Sequence, residues 1–570
     1  MSSIAIEDPK PGLSEGLPAA ANGHGGKTQG GGFEAWLNRH VNAVAGLIVL
    51  AGFAVRFYAS TRAFFNPDEV LHYIIINQPS AWLAYKASLG NAHPPLIFLV
   101  LYAWHFLGHS EVFLRFPSVV LGTAACGVAF LWLRDLMGKA AGLIGLTLFA
   151  FSPSMVALSA QTRGYALLLL CMSGALYFLA RAFRENSAGK MWCFTICLYL
   201  AVLSHYSAVF FTVAAGLYVI ARFSDSKNSR RLLVPWALGQ VGAAAIYAIL
   251  YVTHISKIRG SIAVWSTGFS GGYFQLSGKD IFTFTGLGAL KIFAYLFGEL
   301  YVACAMLLVF AVAAGILFAG DLRHRTDSPQ LSHLSILVLF PFFAIWGASL
   351  AGIYPFEGSR HTVFLAPLAF AGVSYLLPAL LGRRLWICLL AGFSLVACSN
   401  AFAEKPAEPG VSSGIDGSPA AMAAAVNYMN RSIPRGDRIL VDYQSFPAVI
   451  FYYCGPQASP PMDTSSAGYF LASCNGHSIV SVHYWQFIAP AFSGLFTQMA
   501  RDNGLRPGDP VWVYQTGWDA AIDKTLPDED PRFRCLRPKR FGGAAVVIPF
   551  VVGSGLTPEV PAGSCSGSPN

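Results

Sequence analysis

LIFLVLYAWHFL, residues 96–107, decides the fold: read as a membrane crossing or as a short surface helix, it puts every later loop on one side or the other. It lies in a chain of 570 residues that is 55% hydrophobic and 12% charged. Ordinary soluble domains carry roughly 25% charged residues, so most of this chain faces lipid. Apolar runs near the ~20 residues needed to cross a bilayer recur from Val41 to Asn400 and then stop. The expected crossings are 36–58, 112–133, 140–158, 164–183, 191–204, 205–222, 232–252, 290–319, 331–351, 361–381 and 385–400.

Charge settles the reading of 96–107. If it does not cross, one set of short loops holds Arg134 and Lys139, then Arg181, Arg184 and Lys190, then Arg222, Lys227, Arg230 and Arg231, then Arg323 and Arg325, then Arg383 and Arg384. All of these then face the cytoplasm, as the positive-inside rule requires. The segment is therefore read as a re-entrant or surface-lying helix. The expected fold is a polytopic α-helical membrane protein of about 11 transmembrane helices with a small C-terminal α/β extracytoplasmic domain. The net charge of +9 sits in these loops, so it reports orientation and not a nucleic-acid partner.

Residues 1–32 are rich in Gly, Pro and Ala and read as a disordered cytoplasmic tail; 33–400 form the membrane module. Residues 401–419 form a Pro/Gly/Ser/Ala-rich linker, 420–555 the outer domain and 556–570 a tail. In the outer domain a helix is expected near 420–432 and strands at 439–443, 478–485, 511–514 and 544–552, which make an α/β layer. Four of the eleven cysteines, Cys454, Cys474, Cys535 and Cys565, lie there and allow up to two disulfides in three pairings. No cysteine spacing fits a structural zinc, and Cys193 and Cys197 read as packing on an apolar helix.

The chemistry-bearing residues gather in the outer loops. Asn66-Pro67-Asp68-Glu69 is first a helix start, with a capping Asn, Pro at the first helical position and acids in the first turn. A capped start also fixes where a carboxylate points, so the structural and catalytic readings coexist. His93-Pro94-Pro95 holds a histidine at the mouth of the 96–107 segment. Arg115, Arg163 and Arg360-His361 stand at further outer helix mouths, and so does His205. One snorkelling arginine means little, whereas three arginines and a histidine on one face make an anion site.

The ordered segments NPDEVLHY (66–73), HPPL (93–96), LRFPS (114–118), SPSMVALSAQTRGY (152–165) and SRHTVFLAPL (359–368) resemble the GT-C glycosyltransferases. The resemblance is to the branch of protein O-mannosyltransferases and the lipid A aminoarabinose transferase, and it covers residues 41–381. It implies an inverting transfer of a sugar from a polyprenyl-phosphate donor to an envelope glycolipid, polysaccharide or protein. Asp68 is then the general base, and Glu69 orients it or the sugar. His93, Arg163, Arg360 and Arg115 bind the donor phosphate, and His72, Tyr73, Tyr165, His205 and His361 contact substrate. The aminoarabinose transferase's lysine before the two prolines is His93 here. No cofactor and no metal are expected, since 159–163 carries no carboxylate and no Walker-type loop is present. The resemblance places the enzyme in a bacterial-type inner membrane with a cytoplasmic N-terminus. A flippase of lipid-linked glycans would need a path through to the cytoplasm, and a membrane-anchored glycan sensor would place its pocket within 420–555.

Overall fold

The computed structural model describes residues 31–225, 230–257, 272–275, 280–323, 331–398, 419–456, 463–464, 470–482, 491–516, 522, 530–543 and 545–556. The expected linker at 401–419 and the termini lie almost wholly outside these. Eleven helices lead the chain: α1 (Gly31–Thr61), α2 (Pro67–Ile76), α3 (Ala81–Ser88), α4 (Leu96–His105), α5 (Glu111–Met137), α6 (Lys139–Phe151), α7 (Pro153–Ser159), α8 (Tyr165–Glu185), α9 (Ala188–Ser204), α10 (Ala208–Asp225) and α11 (Arg230–Leu250). They are followed by α12 (Ile281–Phe297), α13 (Leu300–Leu322), α14 (Leu334–Leu350), α15 (Ala366–Leu380, led in by a 3-10 turn at Arg360–Leu365) and α16 (Leu385–Cys398).

Among the described residues six helices are long and apolar enough to cross a membrane, and seven if α6 and α7 count as one bent span. The chain is a multi-pass membrane protein. At 10 residues α4 is about 15 Å long at 1.5 Å per residue, half the thickness of a hydrocarbon core. The expected crossing at 290–319 is not one helix: Gly298, at φ +80°, breaks it into α12 and α13. Glycine alone enters that region of backbone space without steric cost. The run 140–158 bends by 54° where Pro153, lacking an N–H, follows Ser152.

Polar contacts sort the helix ends into two faces. At one end the Glu34 carboxylate accepts the Leu385 N–H at 2.8 Å, and Lys139 donates to the Asn38 carbonyl at 2.9 Å. Arg134 donates to Asn42 at the same end, where Asp135 also gathers Arg181 at 3.1 Å and Arg184 at 3.0 Å. The start of α2 and the links 160–164, 205–207 and 351–365 lie at the opposite end.

Residues from Pro419 onward build a mixed sheet on that second face. Its strands are β1 (Arg438–Asp442), β2 (Asp463–Thr464), β3 (Phe470–Cys474), β4 (His477–Val482), β5 (Pro510–Thr516), β6 (Phe533–Cys535), β7 (Lys539–Phe541) and β8 (Ala545–Val552). The order is β2-β3-β4-β1-β5-β8-β6, with β7 also on β8. Strands β4, β1 and β5 run parallel, and the rest pair antiparallel. Alternation along β1 explains the layers: Ile439 and Val441 pack with Ala425 and Met429 of α17 (Pro419–Ser432). Leu440 faces Phe492 and Phe496 of α18 (Ala491–Asp502) on the other side. Of the three cysteine pairings open from sequence, the structure shows Cys454–Cys474. Cys535 is partly buried, and Cys565 lies outside the described residues.

Candidate active site

Helix α2 begins with a capping box in which the Glu69 N–H donates to Asn66 Oδ1 at 3.0 Å and the Asn66 N–H donates back to Glu69 Oε2 at 3.2 Å. This fixes Asp68, one residue into the first turn. Its carboxylate is a quarter exposed at 26% and pairs with two guanidiniums, Arg163 from the α7–α8 link and Arg360 at 3.1 Å from the turn before α15. Burial alone would raise this carboxyl; the two arginines outweigh burial and hold it at about 2.

Four histidines and a tyrosine form a continuous set of rings beside this triad. His72 lies 5.5 Å from His93, and His93 lies 5.3 Å from His205. Tyr165 stands 5.7 Å from His93 and 5.2 Å from His205, and His361 lies 6.5 Å from His205. Hydrogen bonds set the tautomers. His72 Nδ1 donates to the Thr162 carbonyl at 2.8 Å, and His205 Nδ1 accepts the Ser207 N–H at 3.1 Å. Burial, reinforced by the Arg163 charge, pushes His72 down to about 4 and His205 to about 3, so both are neutral at pH 7. His93 is lowered by burial and then by His205 and His72. Arg163 is 2% exposed, and no protein acceptor meets its Nε or Nη1; His93 Nδ1 is likewise without a hydrogen-bond partner. Buried donors left open in this way fit a small anion. Among the described residues no group of three or more His, Cys, Asp or Glu side chains is arranged to hold a metal ion.

Three expected site residues do other work. Arg115 is buried and spends its donors inside the protein: Nε and Nη2 on Glu69 at 2.8 and 2.7 Å, Nη1 on the Ser60 and Ala63 carbonyls and Nη2 also on that of Phe64. It holds the α1–α2 link in place of a phosphate. Glu69 is filled by Arg115, by Asn66 and by the Thr162 N–H at 2.8 Å, so it positions the strand of chain that bears Arg163 and has no oxygen left for a sugar. Tyr73, a helical step of about 100° from His72, points away from the ring cluster. Its hydroxyl meets His109 at 3.3 Å and the Pro456 carbonyl of the C-terminal domain.

The C-terminal domain docks on α2 through the helical turns Ser445–Cys454 that follow β1. Phe451 packs on Phe65 and Tyr73, Tyr452 Oη accepts the Phe65 N–H at 2.7 Å and donates to Glu111, and Asn77 donates to the Pro456 carbonyl at 3.1 Å. Two residues escaped the sequence reading. Arg56, 1% exposed inside α1, donates to the Phe149 and Ala150 carbonyls at 2.7 and 2.6 Å. The first of these carbonyls would be served in a straight helix by the N–H that Pro153 lacks. A charge inside an apolar run is the signal that marks it. His254 donates from Nε2 to the Asn91 carbonyl at 2.7 Å, and Asn91 Oδ1 accepts the His93 N–H at 3.1 Å.

Residues 92–254 match the family described as dolichyl-phosphate-mannose-protein mannosyltransferase. This segment contains His93, Arg115, Arg163 and His205, whereas Asp68 and Arg360 lie outside it. No curated protein sequence matches the chain. Among solved structures it is similar to ArnT from Cupriavidus metallidurans bound to undecaprenyl phosphate, with 15% identity over 89% of this chain and 98% of that one and a TM-score of 0.50. It is similar also to the Archaeoglobus fulgidus oligosaccharyltransferase in the apo form (14% identity, 85% of this chain and 70% of that one, TM-score 0.44). The Saccharomyces cerevisiae protein O-mannosyltransferase Pmt1-Pmt2 complex bound to the sugar donor matches at 18% identity over 37% of this chain and 33% of that one, with a TM-score of 0.31. Over residues 92–254 the chain is thus similar to the dolichyl-phosphate-mannose-protein mannosyltransferase family, and its fold is similar to that of ArnT.

Proposed function

We propose that the chain moves a sugar from a polyprenyl-phosphate donor to an envelope acceptor, inverting the anomeric carbon, at the outer face of a bacterial-type inner membrane. The observation that carries this reading is the Asp68 carboxylate set between Arg163 and Arg360 beside the rings of His93 and His205. In the transfer, the acceptor oxygen bonds to the anomeric carbon, the bond from that carbon to the phosphate oxygen breaks, and Asp68 takes the acceptor proton. A phosphodiester donor carries one negative charge and Asp68 a second, which the two arginines match. Afterwards Asp68 is neutral and the released phosphate monoester carries both charges, so the same two arginines balance products as well as reactants. No new charge has to be brought into the site. His93 Nδ1 and the open Arg163 donors are the proposed phosphate contacts. His72, Tyr165, His205 and His361 are the proposed sugar contacts. Undecaprenyl phosphate in the ArnT structure is the same class of carrier.

Eleven crossings are proposed, with residues 1–32 in the cytoplasm and 420–555 outside. Leu385 lies at the Glu34 end of the bundle, and Cys398 stands 13 helical residues, about 20 Å, further toward the other end. Tyr301 donates to the Cys398 carbonyl at 3.1 Å, which supports a start of α13 toward the site end and the reading of α12 as a helix that enters without crossing. Radiolabel transfer from a panel of polyprenyl-phosphate sugars into membranes holding the protein tests the reading. Label passes into an envelope acceptor from at least one donor; no transfer from any of them would defeat it. Cysteines placed at 135–139 are expected to resist an impermeant reagent in spheroplasts, and labelling there would reverse the topology.

A further inference from the structure

Asp68 occupies both arginines of the pocket in the protein alone: Arg360 Nη2 sits 3.1 Å from Oδ2, and Arg163 meets the same oxygen. A donor phosphate that uses these guanidiniums must draw them, at least in part, from the carboxylate. We propose that Asp68 is the pocket's own competing anion, and that arrival of the donor phosphate releases it as a base. The proposal rests on the function given above and adds the regulation of that site.

The geometry supports exchange over simple addition. Arg163 is buried with Nε and Nη1 open, so it already presents donors toward an anion other than Asp68. A carboxylate shared by two guanidiniums is a poor base, because both charges favour its ionised form. The other groups around Asp68 do not relieve this. Glu69, on the same helix, is committed to Arg115, and His72 is neutral. His361 comes from the segment of Arg360, and Tyr443 comes from the C-terminal sheet and titrates above the usual tyrosine range through burial and the Asp68 charge. A bound phosphate brings a negative charge to the arginines, weakens their hold on Asp68 and raises its basicity at the moment an acceptor can use it. Without donor the base stays latent, which orders the reaction as donor first, acceptor second.

Undecaprenyl phosphate, which has no sugar to transfer, is the probe, titrated into the full chain in lipid nanodiscs. Asp68→Asn keeps shape and removes the competing charge, and is expected to bind the probe about tenfold more tightly than the unaltered protein, a gain of ~1.4 kcal/mol. Arg163→Gln is expected to lose at least tenfold. Equal or weaker binding by Asp68→Asn, with Arg163→Gln weakened, would overturn the exchange and leave the proposed function standing. Failure of every form to bind would overturn both. A second measurement needs no variant: the acid limb of kcat is expected at higher pH than that of kcat/KM, since the first reports the donor complex and the second the free enzyme. Coincident limbs would overturn the proposal.

Discussion

Arg56→Met removes a buried guanidinium and keeps much of its apolar length. Two carbonyls depend on it, Phe149 at 2.7 Å and Ala150 at 2.6 Å, and the first of these has no helix donor because Pro153 has no N–H. The third contact, to Gly52 at 3.1 Å, lies within its own helix and is served by the backbone as well. Each buried carbonyl left without a donor costs about 1–3 kcal/mol, and relief from burying a charge offsets part of the total. A net loss of about 2–4 kcal/mol is expected. The bend between α6 and α7 then relaxes, and α7 leads directly into the link that bears Arg163. A misplacement of about 1 Å there costs roughly a hundredfold in rate. Thermal unfolding in detergent reads the first effect. Transfer rate, with kcat separated from donor KM, reads the second, and Arg56→Lys is expected to recover part of it. Unchanged unfolding together with an unchanged rate in Arg56→Met would refute this reasoning.

Glu69→Ala leaves Arg115 buried and uncompensated and is expected to cost about 3–5 kcal/mol in thermal unfolding, whereas Arg163→Gln costs far less and acts on donor binding. Cys474→Ser opens a cross-link spanning 20 residues and should take about 3 kcal/mol from unfolding of the sheet domain, read by protease sensitivity at 451–456. Acid should destabilise the protein in two windows. His72 falls from 6.5 to about 4 on folding, so the unfolded chain binds a proton that the folded one refuses; stability is complete above 6.5 and drops by about 3 kcal/mol as pH falls to 4. Asp68, at about 2 against an ordinary 3.8, adds a loss that begins near pH 4 and ends near 2. In His72→Asn the drop in the first window shrinks by that amount in a pH series of unfolding midpoints, while His205 and His93, also lowered by burial, keep their share.

Hydropathy and loop charge are additive along the chain, and for that reason most helices and the two-faced bundle were readable from sequence. The strand pattern from Ile439 onward was legible for the same reason, since period-two burial is local. Gly298 shows the limit: 290–319 is apolar but for Lys291 and Glu299, and the backbone angle at one glycine divides it. The motif arginines show another. Arg115 and Arg163 look alike in sequence, both polar at a helix mouth, and they separate only when Glu69 and three carbonyls are found to fill the first while Nε and Nη1 of the second stay open. Tyr73 and His72 are neighbours in one motif, yet helical geometry sends them to different surfaces.

The central claim is that Asp68 is the base at an arginine-lined phosphate site. Its most direct test is the single-turnover rate of sugar transfer from a polyprenyl-phosphate donor by Asp68→Asn, with donor occupancy measured in the same sample. A fall of about 10² to 10⁴ at full donor occupancy is the expected result. An undiminished rate at full occupancy would contradict the account.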